Sequence, residues 1–84
     1  MTANEVIQKA KEQFTQLSRI PVDGIIGLTK SDEGWKVTLE GLERKSIPDT
    51  MDVLGLYEVR LDSDANIVSF ERRKLRKRGD TEEE

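Results

Sequence analysis

At 84 residues, with 35% hydrophobic and 37% charged side chains and a net charge of −3, the chain is one small domain burying only roughly 60% of its unfolded surface, which argues against an interior substrate cavity. It has no cysteine and no histidine, so disulfides, thiolate chemistry, the usual general base near neutral pH and the commonest transition-metal ligand are excluded. The expectation is a protein that is not an enzyme, carries no cofactor or metal, and sits in a reducing cytoplasm; no apolar run nears the ~20 residues of a membrane span, and no secretory signal pattern opens the chain.

Thr2 and Glu5 have capping-box spacing, with Met1 and Val6 in the staple positions, so a helix is predicted from Ala3. Ala3, Ile7, Ala10, Phe14 and Leu17 recur at steps of four and three, giving one dry stripe that Val6 widens. Glu5, Gln8, Lys9, Lys11, Glu12, Gln13 and Gln16 are assigned to water. The helix is predicted to end near Arg19, because the residue before Pro21 is biased out of the helical region.

Gly24 to Ser31 reads as a first strand, with Gly27 marking a place where another segment comes close. Ser31-Asp32-Glu33-Gly34 is a turn, its glycine suited to positive φ. Beyond it Trp35, Val37 and Leu39 alternate with Lys36, Thr38 and Glu40, a second strand with one dry side. Gly41 and Leu42 break the alternation and predict a bulge. Ile47-Pro48-Asp49-Thr50 must turn, since proline has no amide to donate.

From Asp52 a third strand carries Val53, Gly55, Tyr57, Val59 and Leu61 on one side and Leu54 and Leu56 on the other. Both sides of its first half are apolar. Asp62-Ser63-Asp64-Ala65-Asn66 is a hairpin loop of residues that hydrogen-bond their own backbone and tolerate left-handed conformation. A fourth strand runs from Ile67 to about Arg73. The sum is an α+β fold, an N-terminal helix packed on a four-stranded antiparallel β-meander over residues 1–78. Residues 79–84 read as a disordered acidic tail.

Three constellations invite a chemical reading. Asp62-x-Asp64-x-Asn66 opens like a calcium loop, yet the required glycine and glutamate positions hold Ile67 and Arg73, so a hairpin turn is the better reading. Scattered carboxylates such as Asp49, Asp52 and Glu58 lack the concave site that general acid/base work needs. Residues 72–78 hold six basic side chains ahead of four acids in 79–84, against a net −5 over residues 1–71. That run suits a solvated strand end, an acidic protein partner or, with no aromatic stacking platform beside it, less well nucleic acid. Leu54 and Leu56, joined by Ile25, Leu42 or Ile67, are expected to form an exposed strip for docking or homodimer formation.

The order Gly34-Trp35-x-Val37-x-Leu39-Glu40, then Glu43-Arg44-x-x-Ile47-Pro48-Asp49-Thr50-x-Asp52-Val53-Leu54-x-x-Tyr57-Glu58-Val59-x-Leu61-Asp62, and an arginine-rich last strand, resembles the gas vesicle protein GvpO family. The likeness runs from the helix to about Arg78. One departure is Leu75 between Lys74 and Arg76, where the family carries Arg-Tyr close to another arginine.

The resemblance implies an accessory or minor structural protein of gas vesicle assembly, cytoplasmic and vesicle-associated, whose partners are the shell protein and other vesicle accessory proteins. An aggregation-prone shell subunit needs such an escort. Arg44, Ile47, Pro48, Leu54, Leu56, Arg72, Arg73, Arg76 and Arg78 are the candidate partner-binding residues. The alternative is a small nucleic-acid-binding regulator using Arg72, Arg73, Arg76 and Arg78.

Overall fold

In the computed structural model, which describes residues 1–79, helix α1 spans Ala3–Ser18. The Thr2 hydroxyl accepts from the Glu5 amide at 3.2 Å and the Glu5 carboxylate accepts from the Thr2 amide at 2.8 Å, which satisfies two of the donors a helix start leaves open. At the other end Arg19 is left-handed, with φ of 65°. The Ser18 hydroxyl donates to the Phe14 carbonyl and accepts from the Ile20 amide.

Val6, Ala10 and Phe14 are buried, whereas Ala3 is exposed and Leu17 is 61% exposed. Periodicity placed Leu17 at the correct angle around the helix but said nothing of its position along it. A 16-residue helix is ~24 Å long, while the axes of four adjacent strands span only ~15 Å. Because α1 contacts both outer strands of the sheet, it crosses them and both of its ends overhang.

The strands are β1 (Val22–Ser31), β2 (Gly34–Arg44), β3 (Val53–Asp62) and β4 (Ile67–Lys77), in sheet order β1-β2-β3-β4 with every pair antiparallel. β1 begins two residues earlier than expected and β4 runs four residues past Arg73. On the helix side, Leu28, Val37, Val59 and Phe70 form one cross-strand row, followed by Ile25, Leu39, Tyr57 and Arg72. The Phe14 ring packs edge-on against Tyr57 and Phe70, with centroids 4.9 and 5.2 Å away. Gly41 floors the end of this core, because a Cβ there would stand 2.7 Å from the Ile20 side chain. Gly27, expected at a close approach, has open space above it.

Turn chemistry follows composition except in one detail. The Asp62 carboxylate accepts from the amides of Asp64 and Asn66, both at 2.9 Å, yet the left-handed residue is Ala65 (φ 64°), fully buried under α1. Gln13, assigned to water, holds this turn: its amide donates to the Ala65 carbonyl and accepts from the Ile67 amide at 2.8 Å. The β2–β3 connection has a cis Ile47-Pro48 bond and a short 3₁₀ turn, Asp49–Met51. Gly79, read from sequence as the start of the tail, donates its amide to Thr50; the rest of that predicted tail lies outside the described residues.

The exposed leucine strip is corrected. Ile25 and Ile67 pack on the helix-side core, Leu42 and Leu56 are half-buried, and Leu54 is 1% exposed. Its cover comes from the arginines of β4. Arg76 sits opposite Leu54 and pairs two-pronged with Glu40 on β2 at 2.7 and 2.9 Å, so its side chain crosses β3. Arg78 reaches Asp23 on β1 at 2.8 Å and Asp52 at 3.2 Å. Outer strands of a flat sheet would stand ~15 Å apart, so this pairing requires the sheet to curl over its helix-free side.

Candidate partner-docking surface

The β2 bulge decides what lies at the proline-turn end of the sheet. Register passes from Leu42↔Leu54 to Arg44↔Val53, so Glu43 is the extra residue and Arg44 joins the helix side. Opposite Val53 on the other flank is Lys77, and one row nearer the helix Gly55 faces Gly41 and Leu75. The result is a shelf that α1 leaves bare, with Val53 and Leu75 between Arg44, Lys77 and Arg72. Leu75 is 49% exposed.

Glu43 is spent at the inner edge of this shelf. Its carboxylate accepts from the Tyr57 hydroxyl and lies 3.8 Å from Arg72. Burial, then the hydrogen bond to Glu43, pushes the Tyr57 hydroxyl up to about 12. Arg44 and Lys77 take part in no ion pair among the described residues.

The other candidate residues divide clearly. Ile47 is 100% exposed and Pro48 is exposed beside it. Arg73 is the residue bulged out of β4 and pairs with Glu71 at 2.8 Å. Arg76 and Arg78 are held inward, and their guanidinium pKa values are raised by Glu40 and by Asp23 and Asp52 respectively. The Asp52 carboxylate is held below the usual carboxylate range by the Ser46 amide, then by Arg78. All four arginines of the basic run are therefore engaged with acids. Leu54 offers no surface as it stands, and Leu56 offers part of one.

A shallow cleft of about 580 Å³ lies at the opposite end, lined by Thr29, Lys36, Arg60 and Ser69 together with Glu33 and Asp62. Neither sign of charge prevails there. Among the described residues no three Asp or Glu side chains converge as metal ligands, and no helix is long and apolar enough to cross a membrane.

Comparison with known proteins bears on the same stretch. The family described as "Gas vesicle synthesis protein GvpO" matches residues 1–82. The chain belongs to this family. It is 34% identical to gas vesicle protein O1 of Halobacterium salinarum over 83 residues, covering 99% of this chain and 70% of that protein. Gas vesicle protein O of Haloferax mediterranei is 34% identical over 77 residues, covering 90% of this chain and 55% of its own length. A Streptomyces counterpart is 30% identical over 74 residues, covering 88% and 58%. The chain thus spans little more than half of two of these GvpO proteins, and no solved structure matches it.

Membership in the GvpO family assigns the chain a gas vesicle-related role in place of a known enzyme class. Sequence reasoning passed over Val53, Leu75 and Lys77 as part of the shelf. The signal that finds them is register across the Glu43 bulge, a property of paired strands that no single strand carries.

Proposed function

We propose that this chain is a non-enzymatic accessory or minor structural protein of gas vesicle assembly that binds the shell protein or another vesicle accessory protein, and that it does so in the cytoplasm. The family match over residues 1–82 carries the reading. The molecule fits it physically: a sheet backed by a helix presents at one end a fully exposed isoleucine and two cations, Arg44 and Lys77, that make no ion pair among the described residues, a surface suited to holding a partner. Arg44, Ile47, Pro48 and Arg72 are its contact residues. The nucleic-acid alternative loses ground because each of Arg72, Arg73, Arg76 and Arg78 already faces a carboxylate, which reduces the free charge available for phosphates.

The test is co-expression with the shell protein and the remaining vesicle accessory proteins. The expected result is co-purification with at least one of them and a vesicle yield that falls when Ile47→Asp is introduced. Vesicle yield unaffected by deleting the whole chain, together with no co-purifying vesicle protein, would overturn the proposal.

A further inference from the structure

The shelf beyond α1 combines three features. It is sheet face left bare by the crossing helix, it has an apolar centre in Val53 and Leu75, and its flanking cations Arg44 and Lys77 have no ionic partner. Arg44, Val53 and Lys77 form one cross-strand row, so the two cationic side chains start two strand spacings apart, ~10 Å, with the valine between them. Arg72, one row inward from Leu75, is half-exposed but already faces Glu43 at 3.8 Å.

A site of this kind selects charge by its rim and apolar character by its floor. A basic peptide would meet like charge on both sides. A purely polar acidic one would leave Leu75 in water. We infer that the shelf docks an acidic peptide segment of a partner protein in which carboxylates alternate with apolar residues, the apolar side chains lying on Val53 and Leu75 and the carboxylates on Arg44 and Lys77. This rests on the reading of the chain as a docking protein and narrows it to one surface and one partner chemistry.

The neighbouring chain supports the geometry. Arg78 and Gly79 donate their amides to Asp52 and Thr50, which fixes the end of β4 beside the proline turn.

The experiment uses a short fluorescein-labelled peptide alternating Glu and Leu, read by anisotropy against the full chain at low salt. Two control peptides replace Glu by Lys or Leu by Gly. The Glu-Leu peptide is expected to bind and both controls to bind more weakly. The Arg44→Glu, Lys77→Glu double variant should lose about tenfold in affinity. The equally charged Lys11→Glu, Arg60→Glu control should stay within about twofold. Leu75→Ser should weaken the Glu-Leu peptide, and circular dichroism confirms that each variant is folded.

Equal binding of the Lys-Leu peptide, equal losses in the two double variants, or no binding of the Glu-Leu peptide would each overturn the inference. None of these outcomes touches vesicle yield or co-purification, so the broader proposal stands or falls separately.

Discussion

Tyr57 joins the core to the polar end of the sheet: its ring packs on Phe14 while its hydroxyl donates to Glu43. Replacing it with phenylalanine keeps the packing and leaves Glu43 half-buried with only Arg72 beside it. The expected loss is about 1 kcal/mol in urea unfolding at neutral pH. Titration gives a second readout. An unfolded tyrosine ionises near ~10 and the folded one near about 12, so its stabilising share is complete below pH ~10 and disappears as the pH climbs through the folded value. Tyr57→Phe should flatten that alkaline decline; an unchanged slope would show that the hydroxyl is not responsible. The tyrosine's dry side was legible in its alternation with Glu58, whereas its partner Glu43, displaced by a bulge, was not. Gln13 fails similarly, since a polar residue on an amphipathic helix reads as solvated until the turn it binds, more than fifty residues on, is in place.

At the level of elements, periodicity located the helix and all four strands, and failed where length and curvature matter. Leu17 and Leu54 make the contrast measurable. Leu17 fits the helical stripe yet overhangs the sheet, and Leu54 was assigned to an open face that ion pairs roof over. Leu54→Ala should lower stability by about 2–5 kcal/mol, as for a buried leucine, while Leu17→Ala should stay within about 0.5 kcal/mol. Comparable urea midpoints for the two variants would contradict the packing described here. Alternation along β3 marks two apolar sides but not what covers each, because the cover arrives from β4, two elements distant from the β2 carboxylate it meets. The proline turn was legible from its composition. The shelf was not, since it depends on where a helix stops and which residue a bulge displaces.

For the molecule as a whole, Arg78 ties the last strand to the first and to the turn between β2 and β3. Asp52 is the buried member of that cluster and accepts from the Ser46 amide at 2.7 Å. Because its folded pKa is depressed, its stabilising share is present above the ordinary aspartate value near ~4 and fades as pH falls through the lower folded value. Asp52→Asn keeps an acceptor for Ser46 but removes the charge facing Arg78. The variant should be less stable at neutral pH and should show a shallower acid decline, measured as urea midpoints between neutral and strongly acidic buffers. An acid limb as steep as that of the parent would place the sensitivity elsewhere.

The hydrogen bond from Gly79 to Thr50 also decides how the protein should be instrumented. The middle of α1 lies by the Asp64–Ala65 turn that Lys9 and Gln13 grip, whereas β4 finishes beside Thr50 and Asp52 at the other end of the sheet, a strand length or ~33 Å away. A fluorophore, affinity handle or carrier fused after Glu84 would crowd the face proposed to hold a partner. The same cargo placed ahead of Met1 would leave that face clear, so the two fusions should differ in binding while unfolding alike.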